Sequence, residues 1–527
     1  MNPKFARYLF ALSASALGVH AHAQAPTAQT ATAQAHVEEA SRREATPSTK
    51  VAAVPTAAVA PIAPLNRKAL FGTLPISVRS EETRKLLEKA IDQYENVLLD
   101  MSIDTAHRAA LKDSHSALAF AMWSYAANHS RPVPEALQRA RELAPKAAPE
   151  EQLLVNWLVD VQRGDNIAAI GAMNDLLAHF PNDKHVLYLT SEWLYVQQDY
   201  DRSLRMMEKV EQIDPNFAPA LNMLGYAYMQ TADPDPAKAI GCLKRYAARE
   251  PNQPNPEDSL GEVLRYAGDD QGSLEHYSAA LRIITNFITS QVGLGDTNTL
   301  MGNFERARAE YDKANAMATN SRDRLHAHYQ KALAYFWEGH PEQGRKALDS
   351  LLEDARRQKE PYAQFEIAFG RATLAPDAAS ELEQLRAVEA SVQKPVAGMS
   401  EPDRHLSWSS VLREQARIAA ASGQIAAAQE AINKLERFAS QSRDLVVSNS
   451  YEIARGYLLL AQGDFASAAD ELGSDPRSPL ALQYLALAQE KLGNAAAAQA
   501  ARTRLKYQRA PTTEWYLVAH SANAESR

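Results

Sequence analysis

The sequence predicts an all-α chain whose helices pair and stack into a right-handed α–α superhelix, entered through a disordered N-terminal tether. Three observations predict it. Of 527 residues, 46% are hydrophobic but only 7% aromatic, and this Ala-rich mixture suits helices better than strands. Leu260-Gly261, Gly268, Tyr277 and Ala280 return 34 residues later as Leu294-Gly295, Gly302, Tyr311 and Ala314. Gly-Asp or Gly-Asn recurs where one helix would give way to the next, at 164–165, 268–269, 302–303, 463–464 and 493–494. There Gly can end a helix in the left-handed conformation and Asp or Asn can cap its successor.

Residues 1–23 read as an export signal. Lys4 and Arg7 form a positive start, residues 8–19 are largely apolar, and "AHA" at 21–23 fits cleavage after Ala23. The mature chain is then expected in the periplasm or outside the cell. Residues 24–68 are Ala/Thr/Gln/Pro-rich, with Pro47, Pro55, Pro61 and Pro64 breaking any helix, and are expected to be a disordered linker. Beyond it, residues 69–527 hold 49 basic and 61 acidic side chains, a formal charge of -12. An acidic body without a Lys/Arg stripe argues against nucleic acid as a partner. No downstream stretch is apolar for long enough to predict a transmembrane segment. The single Cys242 excludes an internal disulfide and reads as a half-buried small side chain.

Helical pattern begins near residue 80, giving N-terminal helices over 69–116. Residues 117–149 look like a degenerate first unit of an array extending to 359. A unit from Glu150 carries Gly164, Ala169 and Pro181. The next, from Lys184, keeps Tyr200 and Pro215 but has Gln198 and Ser203 at the small positions. The third, from Ala218, has Leu224, Gly225, Ala239 and Pro251 after an insertion at "TADPDP", which is expected to be a longer turn. The repeated pair follows, then a unit from Leu325 with Gly339, Gly344 and Leu348. Residues 360–408 form a drifted helical pair. Looser units from Ser409, Asn449 and Pro479 fill 409–508, and "PTTEWYLVAH" within 509–527 is expected to cap the last pair.

These in-phase copies resemble the tetratricopeptide repeat, whose unit is 34 residues. The resemblance covers most of 117–508 and makes Gly295 the small residue of a helix pair. Gly293-Leu294-Gly295 is therefore not a phosphate loop: it lacks a third Gly and follows no strand. The resemblance implies a first helix whose second, fifth, ninth and twelfth positions face a concave groove. Those positions yield Tyr188, Glu192 and Tyr195, then Asn222, Tyr226 and Met229, then Asp258, Glu262 and Arg265, then Asp296 and Thr299. An aromatic patch followed by an acidic one suits a protein or peptide partner with a basic or Pro-rich segment. The Lys/Arg/Asn arrangement with which some family members clamp a carboxylate is missing.

No catalytic signature is present: there is no Walker loop, no Gly-x-Ser-x-Gly elbow and no His-Glu-x-x-His helix. His326 and His328 point apart on a helix and cannot share a metal. The expectation is a non-catalytic interaction scaffold without cofactor or metal, binding a peptide segment of another envelope protein in its concave groove. The alternative is an accessory subunit of polysaccharide or protein export across the outer membrane.

Overall fold

Helices at 34-residue intervals need small residues wherever their axes approach, and the structure shows where each is used. The computed structural model describes residue 74 and residues 76–128, 132–442, 444–474 and 478–524. The expected export signal over 1–23 and tether over 24–68 lie outside the described residues. The described residues form 25 α-helices and no strand.

An N-terminal pair comes first, α1 (Glu81–Glu95) and α2 (Leu99–Lys112), followed by α3 (Ala117–Ala127) and α4 (Pro134–Leu143). The regular array is α5 (Pro149–Arg163), α6 (Asn166–His179), α7 (Lys184–Val196), α8 (Tyr200–Ile213), α9 (Ala218–Gln230), α10 (Pro236–Arg249), α11 (Asn255–Ala267), α12 (Asp270–Ile283), α13 (Ile288–Leu300) and α14 (Phe304–Met317). Helices of more varied length, 13–21 residues, succeed it: α15 (Ser321–Trp337), α16 (Pro341–Gln358), α17 (Pro361–Thr373), α18 (Ala378–Val392), α19 (Glu401–Ala421), α20 (Ile425–Ser442) and α21 (Leu445–Gln462). The chain closes with α22 (Phe465–Gly473), α23 (Pro479–Lys491), α24 (Ala495–Lys506) and α25 (Thr513–Ala524). Helices α1 to α24 pack each on its chain neighbours, and α25 packs on α23, so this is a helical-repeat solenoid consistent with tetratricopeptide repeats. The unit expected to start at Ser409 begins earlier, because Ser400 accepts a hydrogen bond from the Asp403 amide and caps α19.

The turns follow the residue chemistry. Gly268 has φ +89° and ends α11, and the Asp269 carboxylate accepts from the Gly272 amide to start α12. Asn303 and Asn494 stand at the same turn position but make no side-chain cap; their amides instead donate to Asn298 and Gln489. Where the repeat has Gln198 in place of Gly, the left-handed backbone persists at φ +71°. The Gln198 side-chain oxygen there accepts from the Asn449 side-chain amide at 3.1 Å, across 251 residues of chain.

Both glycines of the Gly-x-Gly are packing sites, not one alone. A Cβ at Gly295 would overlap the Tyr311 ring of the following helix, and one at Gly293 would overlap Tyr277 of the preceding helix. Tyr277 and Tyr311 are 1% and 0% exposed, so the rings cannot swing into solvent. A second series of rings ties the N-terminal pairs together: Tyr94, Tyr125, Trp157 and Trp193 follow one another at centroid separations of 5.3, 6.1 and 6.4 Å. Such tilted and edge contacts add to the stabilisation from apolar burial.

Candidate interaction surfaces

The inner-face residues named from the repeat register are interior residues. Tyr188, Glu192, Tyr195, Asn222, Tyr226, Met229, Asp258, Arg265, Asp296 and Thr299 are all buried, between 1% and 6% exposed, and the Glu262 side chain is 20% exposed. Their polar ends meet one another. Tyr226 and Tyr266 both donate to the Glu262 carboxylate, at 3.0 and 2.9 Å. Arg265 bonds Glu262 at 3.2 Å and Asp296 at 2.8 Å. Asp296 accepts further bonds from Tyr311 at 2.9 Å and Gln330 at 3.0 Å, while Asp258 accepts from Ser290 at 2.6 Å. The result is a hydrogen-bonded ribbon from α9 to α15.

Electrostatics follow from this burial. Desolvation, then the Glu262 and Asp258 charges, hold the Tyr226 phenol well above its usual range. Burial opposes the Arg265 charge, but Tyr277, Asp296, Tyr266 and Glu262 surround it and keep the guanidinium protonated. The acidic patch therefore already has its cation, and it is not presented to a partner's Lys or Arg. A basic partner drew its support from that patch. The aromatic patch is likewise covered. Tyr94 of α1 donates to Glu192 at 3.1 Å, and the Tyr188 phenol donates to the Glu95 carbonyl at 3.1 Å. His185 binds the Glu95 carboxylate at 2.8 Å. Burial pulls the His185 pKa down, but Glu95 outweighs it and the net direction is upward.

The C-terminal units supply the rest of the cover. The ring of His405, on α19, lies against the turn at Gly164. Tyr507 and Ala510 pack on the cluster that contains Tyr188, Tyr195, Tyr226 and Tyr266. Arg509 makes two 3.0 Å bonds to Asp270 at the start of α12. Repeat register finds the inner face but carries no signal for these contacts between residues some 240 positions apart.

Among the described residues, two concave surfaces lie outside this ribbon. A cleft of about 320 Å³ between α6, α7 and α8 has an apolar floor of Leu177, Pro181, Leu187 and Met206, rimmed by Arg202, Arg205 and Lys209. Arg202 pairs with Asp199 at 3.3 Å and Lys209 donates to the Pro181 carbonyl; Arg205 is exposed. On α6, Ile167 and Ile170 are 64% and 38% exposed. A second groove of about 220 Å³ runs along α17 and α18, lined by Phe365, Ala368, Val388, Val392, Val396 and Met399 with Arg356 and Arg371.

Reactive chemistry is muted elsewhere. Burial pushes the Cys242 thiol up to about 11, away from thiolate reactivity. His340 precedes α16 at a turn. His326 faces Glu366 at 3.7 Å, and burial lowers the His328 pKa. Among the described residues no group of three or more His, Cys, Asp or Glu is placed to hold a metal ion, and no helix is long and apolar enough to cross a membrane.

No family model matches the chain, and no curated protein matches it. Solved structures similar to it include yeast Tom70, at 14% identity and TM-score 0.41, covering 81% of this chain and 96% of that one. MamA is similar at 22% identity and TM-score 0.27, covering 32% and 96%. YrrB, described as a TPR protein with an unusual peptide-binding site, is similar at 15% identity and TM-score 0.26, covering 35% and 93%.

Proposed function

We propose that the chain is a non-catalytic scaffold of the periplasm that binds a segment of another envelope protein. The cleft between α6, α7 and α8 carries this reading. It joins an apolar floor to three cations on a body of net acidic charge. A partner side chain that is apolar, next to one or two carboxylates, would match both features. Burial of the inner-face residues supports assigning the partner segment to this cleft and not to the ribbon. The partner's character is accordingly acidic and amphipathic, in place of basic or Pro-rich.

The test is affinity capture from native envelope with the mature chain and with an Arg205→Glu/Lys209→Glu variant. Circular dichroism should show equal helicity. A partner recovered by the parent alone, and rebinding as a purified protein, supports the reading; an outer-membrane pore as that partner would assign the scaffold to export. Equal recovery by both chains contradicts the cleft, and turnover of a small molecule by the isolated chain contradicts the non-catalytic reading.

A further inference from the structure

The C-terminal segment sits on the array as a ligand would. After α24 the chain runs without regular structure over 507–512 and then forms α25. Arg509 forks onto Asp270 with both bonds at 3.0 Å, each side chain little more than one-fifth exposed. The Thr513 side chain lies close enough to the Tyr329 phenol on α15 to favour its ionisation, against the burial that raises its pKa. Tyr516 then lies edge-on to Phe336 and Trp337, at centroid separations of 6.0 and 5.6 Å. A carboxylate, a phenol and an aromatic pair thus read an arginine, a hydroxyl and a ring along one extended-to-helical segment. Such spaced anchors are how helical grooves recognise peptides.

The fit is incomplete. The Trp337 indole N–H, beside Tyr516 and His520, is buried and makes no hydrogen bond among the described residues. The tail also has a second attachment: Glu514 accepts from the Leu480 amide at 3.2 Å and from Ser478, at the N-terminus of α23, where a carboxylate favours the helix dipole. Glu514 would keep the tail anchored to its own last pair even if Arg509 and Tyr516 let go.

We infer that the seat formed by Asp270, Tyr329, Phe336 and Trp337 is a second protein-binding site, held closed by the chain's own tail. Its incoming occupant is a segment with an arginine and, seven residues on, an aromatic ring, with a carbonyl able to meet the Trp337 N–H. This inference rests on the scaffold reading but uses a different surface from the α6–α8 cleft, so either site can fail without the other. A tethered tail competes at an effective concentration on the order of millimolar. An added segment therefore gains the seat only when it binds better or when the tail is weakened.

The experiment titrates a fluorescein-labelled peptide of residues 507–520 into three full-length mature chains: the parent, Arg509→Ala/Tyr516→Ala, and that variant with Asp270→Ala added. The weakened-tail chain is expected to bind the peptide at least tenfold more tightly than the parent, and the Asp270→Ala addition to abolish most of the gain. Equal affinity for parent and weakened-tail chain, or no binding to either, overturns the inference and leaves the tail a cap alone. If the double variant loses helicity, Arg509→Gln alone makes the same comparison, and its failure to raise affinity overturns the inference equally. Cleft variants of Arg205 and Lys209 should leave this titration unchanged.

Discussion

A glycine-to-alanine change in a helix should have opposite signs at two positions of this chain. Away from any contact, Ala is favoured over Gly in a helix interior by about 0.5–1 kcal/mol. Gly171 on α6 is exposed, with nothing within 4 Å of an added Cβ, so Gly171→Ala should stabilise by about that amount. At Gly295 the same methyl overlaps the Tyr311 ring, which is fully buried. Forcing the ring aside costs about 1–3 kcal/mol as overpacking. It also displaces a phenol that donates to Asp296 at 2.9 Å and meets Thr299 at 3.2 Å, and a bond to a charged acceptor contributes about 1.5–3 kcal/mol. After the propensity gain, Gly295→Ala should destabilise by about 2–5 kcal/mol. Urea unfolding followed by circular dichroism gives both values. Adding Tyr311→Leu to Gly295→Ala should recover part of the lost stability. A Gly295→Ala midpoint equal to or above the parent's would refute the close-approach argument, whatever Gly171→Ala does.

Three further outcomes follow from named groups. Glu381 and Glu414 share Arg417, with bonds of 3.1 and 2.6 Å; burial and the Glu414 charge push Glu381 up to about 9, while Glu414 is held low by Arg417. The folded chain thus keeps a proton on Glu381 that the unfolded chain releases near 4.5, so this contribution is complete below about pH 4.5 and is lost as pH rises towards about 9. Glu381→Gln should therefore flatten the decline of the melting temperature between pH 6 and 9 and be the more stable chain at pH 8; a parallel decline would contradict a proton held on Glu381. Cys242, buried and with its thiol raised, should be alkylated by iodoacetamide at pH 8 at least tenfold more slowly than in urea, and equal rates would contradict its burial. Asp270→Ala should raise hydrogen exchange over 509–520 with little change over 255–267, and an unchanged tail would show that the Arg509 pair contributes nothing.

Much of the array is legible in the residues. From α5 to α14 the helices are 13–15 residues long, and three of the pairs set a glycine against a large side chain: Gly225 with Leu243, Gly261 with Tyr277 and Gly295 with Tyr311. Spacing alone can find these. Beyond α14, helices α15, α16 and α19 lengthen to 17, 18 and 21 residues, which moves the repeat out of phase and hides the start of α19. Register also puts Tyr226, Glu262, Arg265 and Asp296 on one face, but an inner face need not be wet. Here Arg265 lies between Glu262 and Asp296, and a cation set between two carboxylates is the one local hint that the patch neutralises itself. The pairs Gln198–Asn449 and Asp270–Arg509 have no local signature, because any two polar residues could occupy those positions in an open array.

Hydrogen exchange measured by mass spectrometry on the full mature chain tests most directly whether the inner face is closed by the chain's own C-terminus. If Arg509, Thr513, Glu514 and Tyr516 are seated as described, amides of 513–520 will exchange on the slow timescale of α15, at least a hundredfold below an unstructured peptide. Exchange of 513–520 at the rate of the free 507–520 peptide, beside a protected α15, would contradict closure.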